Sequence, residues 1–212
     1  MNKLVAFGVL VLVQSWALLL FKICQTNGAY TFNPASSVAL TELAKLALAV
    51  ALHSRHAARE KTPYFHKVDR KIVINYAGLS LLYTINNQLS FYVLEHADPG
   101  SMSLGKSVAP YLCALLLRLN GSPINQLQWI CIVVQCFAIA IVQYDVCASK
   151  GMLPLQAYGL IFAATAITAA TSVWNQLVIK GFDVPVNCQN SIMYAFGAII
   201  ATTSYQIGRS AG

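Results

Sequence analysis

The sequence predicts an all-α fold, a polytopic membrane helix bundle with about seven transmembrane helices. The chain has 212 residues, of which 57% are hydrophobic and only 10% are charged. Soluble domains carry about 25% charged residues. The apolar residues form several runs near the length of about 20 residues that crosses a bilayer. The net charge of +7 resides in loops, without a basic stripe and interleaved aromatics, which indicates membrane topology rather than nucleic-acid binding.

The first apolar run follows Lys3 and is too long for a signal-peptide core. No small-residue cleavage site follows it, so we interpret it as an uncleaved signal anchor. The dipeptide Asn33-Pro34 marks a turn and the start of the second helix. The predicted spans cover about 4–23, 35–52, 72–94, 101–119, 127–144, 155–179 and 188–207.

Residues 53–71 give the strongest orientation signal. This loop holds six basic residues (Arg55, Arg59, Lys61, Lys67, Arg70 and Lys71) against two acidic ones. Positive loops stay in the cytosol, so we expect a cytosolic N-terminus and a third span that runs toward the lumen. Pro99 and Gly100 then predict a tight luminal turn that makes spans three and four an antiparallel hairpin.

Four polar side chains interrupt the third span near mid-depth: Tyr83, Asn86, Asn87 and Gln88. Water does not solvate polar groups in the hydrocarbon, so these side chains need protein partners or a wet cavity. Hydrogen bonding between helices is one interpretation, worth about 1 kcal/mol for each amide. Four polar residues in six positions favour a cavity wall.

The second span contains a charged pair near the bilayer centre, Glu42 and Lys45. Their spacing of three residues lets them pair on one helix face. A lone charge at this depth costs about 2.5–3.5 kcal/mol or more. The pair therefore either fixes helix packing or presents a cation to a substrate cavity, with Glu42 setting the lysine rotamer and balancing its charge.

The sequence predicts no catalytic residue, no metal site and no cofactor, and hence no enzyme. The six cysteines form no CxxC motif, and most lie in or beside apolar spans as small hydrophobic side chains. Neither a P-loop nor an HExxH motif occurs.

Three segments carry a resemblance to a known family: TELAKL, LLYTINNQLSFYVLEHADPG and QLQWICIVVQCFAIAIVQ. They resemble the nucleotide-sugar transporter family, and within it the UDP-galactose, UDP-N-acetylglucosamine and CMP-sialic acid branch of the drug/metabolite transporter superfamily. The resemblance implies a ten-helix carrier of two inverted five-helix halves. By this resemblance, residues of about 1–150 form the first half of the carrier, and residues of about 151–212 form part of the second half. We therefore expect a chain truncated after the seventh helix.

The resemblance also implies a function: exchange of a pyrimidine nucleotide sugar, with a UDP-sugar such as UDP-galactose favoured, for a nucleoside monophosphate. The expected location is the Golgi membrane, with the endoplasmic reticulum as the alternative. The expected partners are these nucleotides and the lipid bilayer, and homo- or hetero-oligomers stay open. Two alternative functions stay open: a non-transporting membrane scaffold or regulator, and a carrier of another anionic metabolite.

By the same resemblance, Lys45 meets the nucleotide phosphate, with Glu42 in support. Five other positions are implied to line the site or contact the nucleoside: Tyr83, Asn86, Asn87, Asn190 and Tyr194. The sequence departs from the family at Ala109, where a second phosphate-facing lysine is usual. Lys106 lies three residues earlier and takes its place in our prediction. Further departures at Met102, Ser103, Gln176 and Phe196 leave the choice of sugar open.

Overall fold

The structure, a computed structural model, describes residues 3–121, 123–143 and 154–210. The described residues are almost wholly α-helical, as the composition predicted. The helices are α1 (Lys3–Ile23), α2 (Pro34–Glu60), α3 (Arg70–His96), α4 (Pro99–Lys106), α5 (Ala109–Leu119), α6 (Gln126–Gln143), α7 (Leu155–Gly181) and α8 (Val186–Ser210). Two short strands, β1 (Gln25–Thr26) and β2 (Ala29–Tyr30), lie between α1 and α2.

Each predicted span coincides with a helix, and α4 and α5 together form the fourth. Among the described residues, four segments are long and apolar enough to cross a membrane: Lys3–Ile23, Pro34–Glu60, Pro99–Leu119 and Leu155–Gly181. Helices α3 and α8 have 27 and 25 residues, which is about 40 Å of helix. They are less apolar because they carry many of the polar side chains considered below. The predicted end of span five at Tyr144, and most of the loop after it, lie outside the described residues.

Helix α2 begins as the sequence predicted but ends later. The Asn33 side chain accepts a hydrogen bond from the Ala35 backbone at 2.9 Å, and Pro34 occupies the first turn. The helix continues to Glu60 and stops at Lys61, whose φ of 53° is left-handed. The prediction that residues 53–71 form one loop was therefore wrong for its first eight residues. Hydropathy marks where the bilayer ends, and a helix can continue into water beyond it.

The structure confirms the predicted turn between α3 and α4, but the turn does not depend on an unusual backbone dihedral at Gly100. Ala97 and Asp98 have extended backbones that interrupt the helices. The Asp98 carboxylate caps α4 by accepting from the backbone N–H of Ser101 at 2.9 Å and from its hydroxyl at 2.7 Å. Gly100 lies inside α4 and needs no unusual dihedral. A Cβ there would lie 2.9 Å from Asp98 Oδ2, so glycine leaves room for the capping carboxylate.

Two further local features were missed in the sequence. The fourth span is broken between α4 and α5, because Pro110 has no N–H to continue the hydrogen-bond ladder. The polar segment after α1 forms a β-hairpin whose turn, Asn27-Gly28, has φ values of 54° and 82°. Positive φ at both turn residues is the type I′ geometry that Asn-Gly favours.

Helix α8 is the centre of the packing and lies between α2 and α3, while α7 packs on α3 and α5. One core cluster joins α3, α7 and α8 around Tyr76, Leu79 and Ile192. A second joins the other end of α3 to α4 and α7 around Leu94, Met102 and Ile161. Buried alanines of α7, such as Ala157 and Ala164, allow close helix approach. Helix α1 has no buried residue, as expected of a helix facing lipid.

Candidate functional site

The Glu42 carboxylate is the buried centre of the polar residues in this bundle. Its residue is only 4% exposed. Oε1 accepts a hydrogen bond from Lys45 Nζ one turn further along α2, and another from Asn87 Nδ2 of α3 at 3.4 Å. Gly197 of α8 lies opposite, where a Cβ would be 2.9 Å from Glu42 Oε2. Three helices thus hold the carboxylate in place.

Lys45 extends from this carboxylate toward open space. Its side chain is 38% exposed, whereas that of Glu42 is 5% exposed. The Lys45 ammonium also lies 4.8 Å from the centroid of the Tyr194 ring, within cation–π range. The lysine is therefore held between a carboxylate and an aromatic face, with part of its surface open to a ligand.

The open space beside Lys45 is a cavity of about 320 Å³, which we call the central cavity. Helices α2, α3, α7 and α8 supply its walls. They are lined by Glu42, Lys45, Ser80, Tyr83, Thr84, Asn87, Asn175, Asn190, Met193 and Tyr194. Nine of these ten side chains have a polar atom, which is unusual at membrane depth and indicates a hydrated or ligand-binding space.

A second cavity of about 260 Å³, which we call the Lys106 cavity, adjoins the first. It lies among α1, α2, α3 and α4. Its polar residues are Gln14, Ser37, Thr41, Lys45, Asn87, Ser90 and Lys106. Lys45 and Asn87 line both cavities, so they form the wall between them.

Lys106 enters the second cavity from the last turn of α4. Its ammonium donates to Ser90 Oγ at 3.0 Å. Within residues 3–121, 123–143 and 154–210, no carboxylate lies within ion-pair distance of it. A cation at this depth without a carboxylate favours an anionic ligand.

The structure brings most of the predicted site residues together. Lys45, Tyr83, Asn87, Asn190, Tyr194 and the supporting Glu42 share the central cavity, and Lys106 lies in the adjoining one. Asn86 lies outside the lining of both. It is 9% exposed, and its Nδ2 donates to Thr168 Oγ1 of α7 at 3.1 Å. Asn86 therefore occupies the position of an amide that packs one helix against another. Substrate contact by the other predicted residues stays a prediction.

Sequence reasoning missed three polar residues of the central cavity: Ser80, Thr84 and Asn175. Asn175 was detectable, because it is an amide within an apolar span, the same signal that identified Asn87. Ser80 and Thr84 were not, since single hydroxyl residues are common in membrane helices and bond to their own backbone. Here Ser80 Oγ donates to the backbone carbonyl of Met193 at 2.9 Å and so fixes α8 against α3.

Polar contacts also join the helices at the end of the bundle that carries the 61–69 connection. The buried Tyr76 hydroxyl of α3 donates to Gln189 Oε1 of α8. Lys67 forms an ion pair with Asp183 in the α7–α8 connection. The hydrogen bond and the charge of the Lys67 ammonium hold the pKa of the Asp183 carboxyl below its usual value. The helices are thus joined at this end by contacts between α3 and α8 and between the two connections.

The chain has recognisable relatives among known proteins. The family model described as Nucleotide-sugar transporter matches residues 1–208. The chain is 26% identical over 213 residues to "CMP-sialic acid transporter 5" of Oryza sativa subsp. japonica, covering 94% of this chain and 52% of that protein. It is also 26% identical over 220 residues to "Probable UDP-sugar transporter protein SLC35A4" of Mus musculus, covering 87% and 66%. The chain spans about half the length of the first curated relatives it matches.

Proposed function

Since the chain belongs to the nucleotide-sugar transporter family, we propose that it carries a pyrimidine nucleotide sugar across the Golgi membrane in exchange for a nucleoside monophosphate. A UDP-sugar such as UDP-galactose is the favoured substrate. Helices α1–α6 belong to the first half of the carrier, about residues 1–150, and α7 and α8 begin the second half. The basic residues near the 61–69 connection support a cytosolic N-terminus.

The observation that carries this proposal is the position of Lys45 in the wall between two polar cavities. An ammonium is a compact point charge, and a phosphate is its natural partner where the dielectric constant is low. From this position one phosphate contacts Lys45 whichever cavity holds the rest of the ligand. That property suits a site shared by a nucleotide sugar and a nucleoside monophosphate.

The remaining walls of the central cavity suit a nucleoside. Asn87, Asn175 and Asn190 each offer amide donors and acceptors. The edge of a pyrimidine presents the same two kinds of group. Tyr83 and Tyr194 supply aromatic surface for the ring, and their hydroxyls suit the ribose. The names of the relatives, CMP-sialic acid transporter and UDP-sugar transporter, support a pyrimidine ligand.

Competition for Lys45 supports exchange. In the empty cavity its ammonium pairs with the Glu42 carboxylate. An arriving phosphate takes over the ammonium, and a departing one returns it to Glu42. The outgoing and incoming ligands make the same contact, so neither can bind while the other occupies the site.

The test is a substitution at Lys45 in the purified chain, with the melting temperature measured with and without UMP or CMP. A ligand at 100 times its Kd stabilises the folded state by about 2.7 kcal/mol. Lys45→Ala is expected to abolish this shift, and Lys45→Arg to restore part of it, because the guanidinium is larger and differently hydrated. Lys180→Ala, at an exposed lysine of α7, is the matched control. A Lys45→Ala variant that keeps the full shift would remove Lys45 from the site.

Transport itself is tested in proteoliposomes with a panel of UDP-, CMP- and GDP-sugars. Preloading with UMP or CMP is expected to accelerate uptake of the matching nucleotide sugar. Equal uptake by empty vesicles would contradict exchange. Binding without any uptake would favour the non-transporting scaffold.

A carrier of another anionic metabolite, such as a sugar phosphate, is the second candidate. Lys106 favours it, because this second cation has no carboxylate partner among the described residues and so attracts an anion rather than a base. A sugar phosphate that raises the melting temperature as much as UMP would support this candidate over the first.

A further inference from the structure

Two cavities of opposite character meet at Tyr64, away from the proposed substrate site. One is apolar, has a volume of about 490 Å³, and lies among α2, the 61–69 connection, the start of α3 and α8. Val50, Val73, Ile192 and Phe196 contribute to its walls. Among its lining side chains only Ser191 and Tyr64 carry a polar atom. A space of this kind inside a membrane protein suits a hydrocarbon chain.

The other cavity is polar and has a volume of about 290 Å³. It combines basic and acidic side chains: His53, His56, His66 and Lys67 with Glu60 and Asp183. Tyr64 lines both cavities, so the two spaces adjoin at this residue. They place an apolar space beside a polar one, and the polar space offers partners for both signs of charge.

Two buried polar atoms at the junction have no partner within the described part of the chain. His53 is 3% exposed, and its Nε2 bonds the Tyr64 carbonyl oxygen at 2.8 Å, which leaves Nδ1 unpaired. The Tyr64 hydroxyl is also buried and unpaired. Buried polar groups in native proteins are almost always hydrogen-bonded. Both atoms therefore lack a partner that a polar group entering the junction would supply after a small side-chain movement.

We infer that these two cavities bind one phospholipid with a primary-amine headgroup, its acyl chain in the apolar cavity and its headgroup in the polar one. Because the chain crosses a bilayer, the membrane supplies acyl chains that can occupy the apolar cavity. The phosphate accepts hydrogen bonds from Lys67 and the Tyr64 hydroxyl. The ammonium donates to Glu60 and Asp183, so the headgroup replaces the Lys67–Asp183 pair with two new pairs.

The mixed charge of the polar cavity selects the headgroup. A purely anionic headgroup brings a phosphate for Lys67 but no cation for the Glu60 and Asp183 carboxylates. A choline headgroup has no N–H to donate to them. Phosphatidylethanolamine supplies both a phosphate and three ammonium donors. No described residue lines the central cavity together with either of these two, so the inference goes beyond the proposed transport function and is tested separately from it.

The test measures lipid binding to the full chain, purified in detergent, by native mass spectrometry and by melting temperature. The probes are phosphatidylethanolamine, phosphatidylcholine and phosphatidylglycerol. We expect phosphatidylethanolamine to bind about tenfold more tightly than the other two. Tyr64→Phe removes one hydroxyl and is expected to weaken this binding about fivefold, the equivalent of about 1 kcal/mol. Ala195→Trp fills the apolar cavity and is expected to abolish it.

The controls are Tyr158→Phe and Ala163→Trp, both at exposed positions of α7, and both are expected to keep wild-type lipid binding. Circular dichroism and the lipid-free melting temperature report whether Ala195→Trp folds. If it does not fold, Tyr64→Phe decides, since it leaves the packing intact. Equal binding of the three lipids would overturn the inference. So would unchanged phosphatidylethanolamine affinity in Tyr64→Phe or in a folded Ala195→Trp.

Discussion

Gly197 of α8 lies directly against the carboxylate of Glu42 in α2. A Cβ at Gly197 would be 2.9 Å from Glu42 Oε2 and 3.2 Å from Glu42 Cγ. The same carboxylate holds Lys45 and accepts from Asn87. Because Gly197 has no side chain, α8 leaves room for the Glu42 carboxylate at this position. The carboxylate in turn sets the direction of the Lys45 ammonium.

Gly197→Ala is expected to weaken UMP binding, because the added methyl pushes the still charged Glu42 carboxylate, and the Lys45 ammonium paired with it, out of their places in the cavity wall. The measurement is the UMP-dependent shift in melting temperature. Gly159→Ala on α7 is the matched control, because nothing lies within 4 Å of the Cβ it would add. That control gains about 0.5–1 kcal/mol of helix stability and keeps the ligand shift. An unchanged shift in Gly197→Ala would show that the position of Glu42 does not matter for binding.

Removing the Glu42 charge tests the competition for Lys45. Glu42→Gln keeps the shape of the side chain and the acceptor for Asn87 but no longer pairs with the ammonium. Because the phosphate then has no competitor, UMP affinity is expected to be unchanged or higher, opposite to Lys45→Ala. Isothermal titration of UMP measures it. Affinity that falls as far as in Lys45→Ala would instead make Glu42 the residue that orients the lysine for the ligand.

The polar residues of this site were predictable because the bilayer makes each of them costly. Glu42, Lys45, Tyr83 and Asn87 interrupt apolar spans, and each lines the central cavity. Asn86 carries the same signal and faces α7 instead. Successive helix residues point about 100° apart, so one of two adjacent amides can leave the cavity while the other lines it. Which one leaves depends on how α3 packs on α7 and α8, and local sequence does not contain that information.

Helix limits were predictable only where a residue acts locally. The start of α2 follows from the Asn33 cap and Pro34, and both can be recognised in the sequence. The break after Lys106 follows from Pro110, which was overlooked because the fourth span is apolar throughout. The extension of α2 to Glu60 cannot be recognised from hydropathy, because the last residues of the helix lie beyond the apolar run.

Asp98 gives the α3–α4 turn a defined pH dependence. Burial acts to raise the pKa of Asp98, but the hydrogen bonds from the Ser101 hydroxyl and from backbone N–H groups outweigh it and hold the pKa below 3.8. The folded pKa is thus below the unfolded one. The stabilisation is complete above about pH 3.8 and is lost as the pH falls through the folded value.

Two substitutions at this position separate the cap from its charge. Asp98→Ala is expected to destabilise the fold by about 1 kcal/mol at pH 7 through loss of the cap. Asp98→Asn keeps a capping oxygen but does not titrate, so its melting temperature should fall less than that of the wild type between pH 5 and pH 3. Parallel pH curves for the wild type and Asp98→Asn would contradict the assignment.

A substitution at Lys106 is expected to affect the two ligands proposed for exchange differently. In the proposed binding mode, a nucleoside monophosphate occupies the central cavity and contacts Lys45, whereas a nucleotide sugar extends past the Lys45–Asn87 wall into the Lys106 cavity. A hydrogen bond to a charged group contributes about 1.5–3 kcal/mol. Lys106→Gln is therefore expected to weaken UDP-galactose binding at least about tenfold and to leave UMP within about threefold of wild type. Isothermal titration of both ligands measures the difference.

Lys22→Gln is the matched control, since Lys22 also makes one hydrogen bond, to the Leu94 carbonyl at 3.0 Å, and lines neither cavity. Equal losses for both ligands would place the phosphate shared by the two ligands at Lys106. No loss for either would exclude the Lys106 cavity from the site.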